Sequence, residues 1–311
     1  MVECLVIAAD ADEFVAVLER SDELPLQPRA CVSPDEALDA YADHAVLFGQ
    51  PDMLADVIEK MPSVTWVQST WAGVTPLLSC KRRDYILTGV KDVFGPQMAE
   101  YVLGYLLAHE LKVLERDRAQ RLKEWSTAPS GTLSGKRLGI MGTGSIGQDV
   151  AKMAGSFGID VSGLNRSGTP APGFSSVRQI GELHDFLAQV DYLVATLPQT
   201  RGTDNLLDED ALAQLPDHAF FINVGRGNVV DDAALTAALR WGALAGAVLD
   251  VFDEEPVARD SALWDTPGLQ ITAHIAAISH PELIVPIFID NCRRFMDSRP
   301  LRYVVDFDAG Y

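Results

Sequence analysis

Cysteine, lysine and long apolar runs are all scarce in this chain of 311 residues. Its four cysteines, Cys4, Cys31, Cys80 and Cys292, are scattered without C-x-x-C spacing. That spacing speaks against a zinc site or a disulfide framework and fits reduced, mostly buried thiols, so no metal is expected. Lysine supplies only 7 of the 25 basic residues and the net charge is −19. With no basic stripe to neutralise phosphates, nucleic acid is not an expected partner. No apolar run approaches the roughly 18 residues a membrane span needs. The opening Met1-Val2-Glu3-Cys4-Leu5-Val6-Ile7 lacks the basic region and cleavage pattern of a signal peptide. The expectation is a cytoplasmic protein with no membrane partner. Asp makes up 29 of the 44 acids. Such a surface reads either as salt-adapted, with ions screening the self-repulsion, or as that of an ordinary acidic bacterial or archaeal enzyme.

What is present is a strand, a glycine turn and a helix in immediate succession. Leu138-Gly139-Ile140-Met141 is a short apolar run of the kind that forms a buried parallel strand, and it passes directly into Gly142-Thr143-Gly144-Ser145-Ile146-Gly147. Behind it Ile146, Val150, Met153 and Phe157 fall at helical spacing, and Ile159 to Leu164 reads as the next strand. In that setting the first glycine makes the turn, the second admits a pyrophosphate, and the third lets helix pack on strand. The helix N-terminus offers its free N–H groups to the anion. The βαβ unit therefore points to a dinucleotide.

A length of 311 residues leaves room for two domains at about 100–200 residues each. The chain begins with strands at Glu3 to Ala8, Ala45 to Phe48 and Thr65 to Gln68, helices at Asp10 to Arg20 and Met53 to Lys60, and a closing strand at Ile86 to Gly89. No glycine fingerprint occurs there, which makes this half a candidate substrate domain. Pro96 to Trp125 reads as one long helix, either an interdomain or dimer-contacting element or a packed helix of one domain, with Ser126 to Ser134 as the following loop. Ser167 to Ser176 is a Gly/Pro/Ser-rich turn. Further strands end at Leu197-Pro198, at Val224-Gly225-Arg226-Gly227, at Asp250 and just before His274. In an open α/β sheet the carboxyl edge is where ligands bind, so Arg226, Asp250, Glu255 and His274 can converge.

The fingerprint, Asn223-Val224-Gly225-Arg226-Gly227, Asp250-Val251-Phe252-Asp253-Glu254-Glu255-Pro256 and Thr272-Ala273-His274-Ile275 stand in the order and spacing of the D-isomer-specific 2-hydroxyacid dehydrogenase family. The chain resembles that family over about Leu133 to Ser279, and most closely its glyoxylate/hydroxypyruvate and 2-ketoacid reductase branch. The resemblance implies an α/β fold of two Rossmann-like domains, with a doubly wound parallel nucleotide domain (96–279) inserted into a smaller substrate domain (1–95 and 280–311). It implies a homodimer acting on a small 2-oxo acid or 2-hydroxy acid. It also implies that His274 is the proton donor, that Glu255 is its carboxylate partner, and that Arg226 holds the substrate's carboxylate and carbonyl. Taken singly, each has a plainer reading: a capped histidine, a solvated acid, a turn arginine.

Cofactor contacts implied in the same way run through Gly142, Gly144, Ser145, Ile146, Gly147, Leu197, Pro198, Val224 and Asp250, the last toward the nicotinamide carboxamide. Asp250 is alternatively a strand-end turn former. NAD-selective folds place an acid about 20 residues past the glycines; here Asn165-Arg166-Ser167 stands there, without a carboxylate to repel a 2′-phosphate. The expectation is NADP in preference to NAD, with Asn165 and Ser167 donating to phosphate oxygens and Arg166 against the adenine. The alternative is that these three residues merely begin the turn. Ser69 to Val74 resembles the family's carboxylate-binding loop, in which Ala72 and Gly73 present backbone N–H groups. Trp71 there either walls the side-chain pocket or belongs to the core. The remaining histidines, His44, His109, His184, His218 and His280, read as structural. A nucleotide-sensing corepressor on the same fold is the alternative function.

Overall fold

The computed structural model describes residues 2–21, 25–308 and 310; Met1 of the N-terminal reading and Ala309 and Tyr311 of the return segment lie outside the described residues. The chain divides into two compact units, Met1–Val93 with Ser279–Tyr311, and Phe94–Ile278.

The first unit runs β1 (Val2–Ile7), α1 (Ala11–Ser21), β2 (Leu26–Cys31), α2 (Pro34–Ala40), β3 (Val46–Gly49), α3 (Pro51–Ile58), β4 (Trp66–Ser69), α4 (Thr75–Leu78) and β5 (Ile86–Thr88). Its strands are all parallel in the order β2-β1-β3-β4-β5. The expected strands and helices are present within a few residues, but β2 and α2 escaped the periodicity reading. β2 carries Pro28 and Arg29 and is only half buried, as an edge strand can be. The signature of α2 was legible: Ser33 accepts a hydrogen bond from the Glu36 N–H at 3.3 Å, and Pro34 opens the helix.

The second unit runs α5 (Gly95–Glu110), α6 (Val113–Arg121), β6 (Arg137–Met141), α7 (Ser145–Ser156), β7 (Asp160–Asn165), β8 (Ser176–Gln179), α8 (Leu183–Leu187), β9 (Tyr192–Ala195), α9 (Glu209–Leu212), β10 (Phe220–Asn223), α10 (Asp232–Arg240), β11 (Gly246–Leu249) and β12 (Leu269–Ile271). Seven parallel strands stand in the order β12-β11-β10-β9-β6-β7-β8, so the winding reverses between β6 and β9. This is the doubly wound sheet expected from the alternating pattern. Strands β6, β9, β10 and β11 are near-continuous apolar runs apart from the exposed Arg137 at the start of β6 and the buried Asn223 at the end of β10, because helices cover both faces. Ala99, Val102, Leu103 and Leu106 of α5 share a core with Val150, Ala151 and Ala154 of α7 and with Ile140 and Val194 of the sheet.

The single helix expected from Pro96 to Trp125 is corrected to two. Lys112 takes a left-handed φ of 52° between α5 and α6, and its N–H bonds back to His109. Helical spacing persists on both sides of such a residue, so periodicity does not register the break. Phe157 closes α7 as its C-terminal cap and is exposed, whereas Gly147, Val150, Ala151 and Ala154 form the buried face.

The last helix, α11 (Pro281–Met296), belongs to the first unit. Phe288 stacks on Phe48 at 4.5 Å and on Trp66 at 5.2 Å, and the buried Asn291 amide donates to Gln68 at 3.0 Å. Among the described residues no helix is long and apolar enough to cross a membrane. None of them group as three or more His, Cys, Asp or Glu able to hold a metal ion.

Candidate active site

At the carboxyl edge of the seven-stranded sheet, β12 ends at Ile271 and the chain enters the loop that carries His274. The His274 ring meets the Glu255 carboxylate through Nδ1 at 2.9 Å. Glu255 is itself fixed, because its other oxygen accepts the Phe252 backbone N–H at 2.9 Å. With Nδ1 engaged by the carboxylate, Nε2 is the nitrogen left to deliver a proton to a substrate. Arg226 follows β10, half-buried, with Nη1 donating to the Gly225 carbonyl at 2.6 Å. Burial lowers its guanidinium from the ordinary value and the nearby Glu255 carboxylate offsets only part of that; an arginine still keeps its charge at any working pH.

The turn bearing Arg226 is built from within. The Asn223 side chain, fully buried, donates to the Arg226 carbonyl at 2.9 Å and accepts from the Gly225 N–H at 3.1 Å. Gly227 lies flat against Phe252 and Asp253: a Cβ there would sit 1.8 Å from the Phe252 carbonyl carbon. Only glycine permits that approach, and the approach brings the arginine turn against the segment that leads to Glu255.

Asp250 is 1% exposed and its carboxylate is occupied by the chain itself. One oxygen accepts from the Thr272 hydroxyl at 2.5 Å and the Ile275 N–H at 2.8 Å, and the other from the Ala276 N–H at 2.9 Å. Its carbonyl accepts from the His274 N–H at 2.8 Å, and His274 takes a left-handed φ of 55°. Asp250 is therefore the keystone of the His274 loop and more than a strand-end turn former.

Across the sheet, Gly142 has φ 105° and a Cβ on it would meet the Thr196 hydroxyl at 2.6 Å, so the turn demands glycine. Gly147 is buried against the Gly142 carbonyl, and Gly144 faces open space at the start of α7 beside the exposed Ser145 and half-buried Ile146. These features fit a pyrophosphate: a tight turn, an open approach and free helix N–H groups. Val224 is buried, Leu197 is half-buried against the core, and Pro198 is exposed beyond β9.

Asn165 requires a correction. Its amide donates to the Thr143 hydroxyl and the Thr169 carbonyl, both at 2.9 Å, and its oxygen accepts from the Ser167 and Gly168 N–H groups at 3.1 and 2.7 Å. The side chain is consumed in making the turn and has no donor left for a phosphate. Ser167 shares a hydroxyl contact of 2.6 Å with Thr169, and Arg166 is exposed.

In the first unit the loop after β4 is tied by Ser69, whose hydroxyl donates to the Trp71 carbonyl and accepts its N–H at 2.8 and 2.9 Å. Trp71 is half-buried and takes no part in the buried core; Ala72 is exposed and Gly73 half-buried. Of the other histidines, His44 is buried and accepts the Ala42 N–H, His109 packs 4.3 Å from the Phe220 ring, and His280 caps α11.

The model of the D-isomer specific 2-hydroxyacid dehydrogenase NAD binding domain matches residues 103–276, more than half of the chain. The chain belongs to that family. Glyoxylate/hydroxypyruvate reductase A of Salmonella newport (strain SL254) is 34% identical over 217 residues, 70% of each protein. The crystal structure of a D-isomer specific 2-hydroxyacid dehydrogenase family protein from Aeromonas salmonicida subsp. salmonicida A449 superposes with a TM-score of 0.95 at 38% identity over 99% of both chains. An NADPH-dependent glyoxylate/hydroxypyruvate reductase from Sinorhizobium meliloti, solved with NADP and sulfate, has a TM-score of 0.87 at 27% identity over the full length of both. This member of the dehydrogenase family thus shares a two-sheet α/β architecture with solved relatives. Sequence reasoning missed the residues that hold the site rather than those that line it: Asn223 as a turn brace, and Tyr101, Thr272 and Gln97 around the His274 loop. Gln97 and Tyr101 lie in a stretch, Gln97 to Leu107, whose sequence weakly resembles the family, but no local pattern gave either of them a role.

Proposed function

We propose that this dehydrogenase reduces a small 2-oxo acid of the glyoxylate or hydroxypyruvate type to the D-2-hydroxy acid with NADPH. The 2.9 Å pair of His274 and Glu255 at the carboxyl edge of the sheet carries the reading. When bound, the reduced nicotinamide supplies the hydride that adds to C2. As C2 is reduced, negative charge builds on the former carbonyl oxygen, and His274 donates its Nε2 proton there to give the hydroxyl. Glu255 holds the ring oriented through Nδ1, so that Nε2 faces the substrate. Arg226 pairs with the substrate carboxylate and orients the carbonyl. Within the first unit, Ala72 and Gly73 are the candidate backbone donors to a carboxylate, and Trp71 the candidate wall for a substrate side chain. The Gly142–Gly147 turn would hold the pyrophosphate, Leu197, Pro198 and Val224 would contact the cofactor, and Asp250, which holds the His274 loop, would serve its nicotinamide end.

NADPH is favoured over NADH because Asn165-Arg166-Ser167 offers no carboxylate against a 2′-phosphate, and the exposed Arg166 supplies the charge. A homodimer is supported by α6, which buries nothing of its own, and by the exposed Leu114, Leu122 and Trp125 around it. The test is steady-state turnover of the purified protein across 2-oxo acids of increasing side-chain size with each cofactor. Turnover of glyoxylate or hydroxypyruvate is expected, with kcat/KM higher for NADPH and the ratio lowered in an Asn165→Asp, Arg166→Ala double variant. No turnover with any 2-oxo acid rejects the reaction. A ratio at or below one rejects the cofactor preference.

A further inference from the structure

Two residues of α5, Gln97 and Tyr101, lie one helical turn apart and so share a face. Both reach the loop that carries His274. The Gln97 side chain makes a two-way clamp on Ile278: Nε2 donates to its carbonyl and Oε1 accepts its N–H, each at 3.1 Å. The Tyr101 hydroxyl lies 2.6 Å from the Thr272 hydroxyl, which in turn lies 2.5 Å from the Asp250 carboxylate. Proton count sets the direction of that chain. An ionised carboxylate only accepts, so Thr272 must donate to Asp250, and its oxygen is left to accept from Tyr101. The phenol keeps its proton because burial pushes Tyr101 well above the ordinary tyrosine value.

We infer that Tyr101 is a positioning residue for His274, acting through Thr272 and Asp250, with Gln97 anchoring the far end of the same loop. His274 needs this support because it holds a left-handed backbone, a conformation that L residues with a Cβ adopt at a cost. Asp250 compensates by accepting from Thr272, His274, Ile275 and Ala276, that is from one residue before the strained one, the residue itself and the two that follow it. Tyr101 polarises Thr272 toward Asp250 and ties that brace to the core of the unit, where α5 packs on α7. Loosening it swings the ring of His274 relative to the substrate carbonyl while leaving the glycine turn and Arg226 untouched.

This inference rests on the proton-donor role proposed for His274, and the experiment separates the two. Tyr101→Phe and Thr272→Val are compared with wild type, with the double variant, with Thr272→Ser and with His274→Ala. The expected result is a kcat lower by about five- to tenfold in each single variant, the worth of one buried hydrogen bond. The KM values for cofactor and 2-oxo acid and the melting temperature stay near wild type. The double variant is no worse than the single ones, because both break one chain, and Thr272→Ser keeps wild-type kcat. If Tyr101→Phe retains full kcat while His274→Ala is inactive, the positioning role is wrong and the proton donor stands. Losses that multiply in the double variant, or that track a fall in melting temperature, also overturn it. An active His274→Ala instead removes the proton-donor reading itself.

Discussion

The seven-stranded sheet carries a histidine–carboxylate pair at each of its ends, and the two carboxylates are held in different ways. At the amino ends of the strands His218 meets Asp191 at 3.0 Å, and at the carboxyl ends His274 meets Glu255 at 2.9 Å. Exposure does not separate them, since the two imidazoles are 53% and 49% exposed. The carboxylates do. Asp191 is spent on structure: it accepts the Arg137 N–H at 2.8 Å, the Arg137 guanidinium at 2.9 and 3.3 Å, and His218, so that it staples the starts of β6, β9 and β10. Burial pushes its carboxyl up, but the hydrogen bonds from Arg137 and His218 outweigh that and hold it well below the usual carboxylate range. Glu255 has a single backbone donor, and its other oxygen is given to His274. A histidine beside an acid is thus not a site by itself. The edge of the sheet decides, because backbone N–H groups, helix N-termini and loops converge only at the carboxyl ends.

Four measurements break or sharpen this contrast. The largest difference is expected in turnover: His274→Ala lowers kcat by about 10²–10⁴-fold, the worth of a positioned acid, while His218→Ala stays within about twofold of wild type. Equal losses in both variants erase the distinction. In stability the order reverses. Asp191→Asn removes charge-assisted hydrogen bonds worth about 1.5–3 kcal/mol, whereas Glu255→Gln moves the melting temperature little. Because the folded state holds the Asp191 carboxyl below its unfolded value, its contribution is complete above about pH 4 and fades as pH falls below that. The melting-temperature gap between wild type and Asp191→Asn should be widest at neutral pH and narrow in acid; a gap that is constant with pH counts against the staple.

A smaller effect is expected from Glu255→Gln, which keeps the shape of the side chain but weakens the contact that orients the His274 ring: kcat for 2-oxo acid reduction should fall by about tenfold, the worth of one charge-assisted hydrogen bond. A Glu255→Gln variant with wild-type kcat counts against the pairing. Smallest is the effect of salt on the two pairs. Molar potassium chloride shortens the screening length from about 10 Å to about 3 Å, so the exposed Glu255 pair should respond and the Asp191 staple should not. A staple contribution that vanishes in salt, measured by the Asp191→Asn difference, contradicts its description as half-buried and hydrogen-bonded.

Much of this was readable from residues in order. The apolar runs at Leu138 to Met141, Tyr192 to Ala195 and Phe220 to Asn223 announced buried parallel strands, and the glycines at 142, 144 and 147 announced the turn, because strand burial and positive φ are local demands on side-chain type. Arg226, Glu255 and His274 were legible as candidates because each follows a strand end in a recurring motif. The break at Lys112 was not legible, since a single left-handed residue leaves the helical spacing intact. The edge strand β2 was not, since half-buried chain with Pro28 and Arg29 lacks alternation. Asn165 was misjudged for a related reason: its amide can donate either to a phosphate or to Thr143 and Thr169, and residue identity does not choose.

By itself, then, the sequence determined the central buried strands of the nucleotide unit and the glycine turn, and it nominated Arg226, Glu255 and His274 as candidates, because these follow from periodicity and motif. Only the tertiary structure decided that Asp191 serves His218, how closely Glu255 meets His274, and what holds His274 in place. Glu255 is 19 positions from His274, Asp191 is 27 from His218, and Tyr101 is 171 from Thr272. Contacts across such separations depend on how the strands are ordered in the sheet and how α5 packs against it, and no local pattern of side chains carries that information.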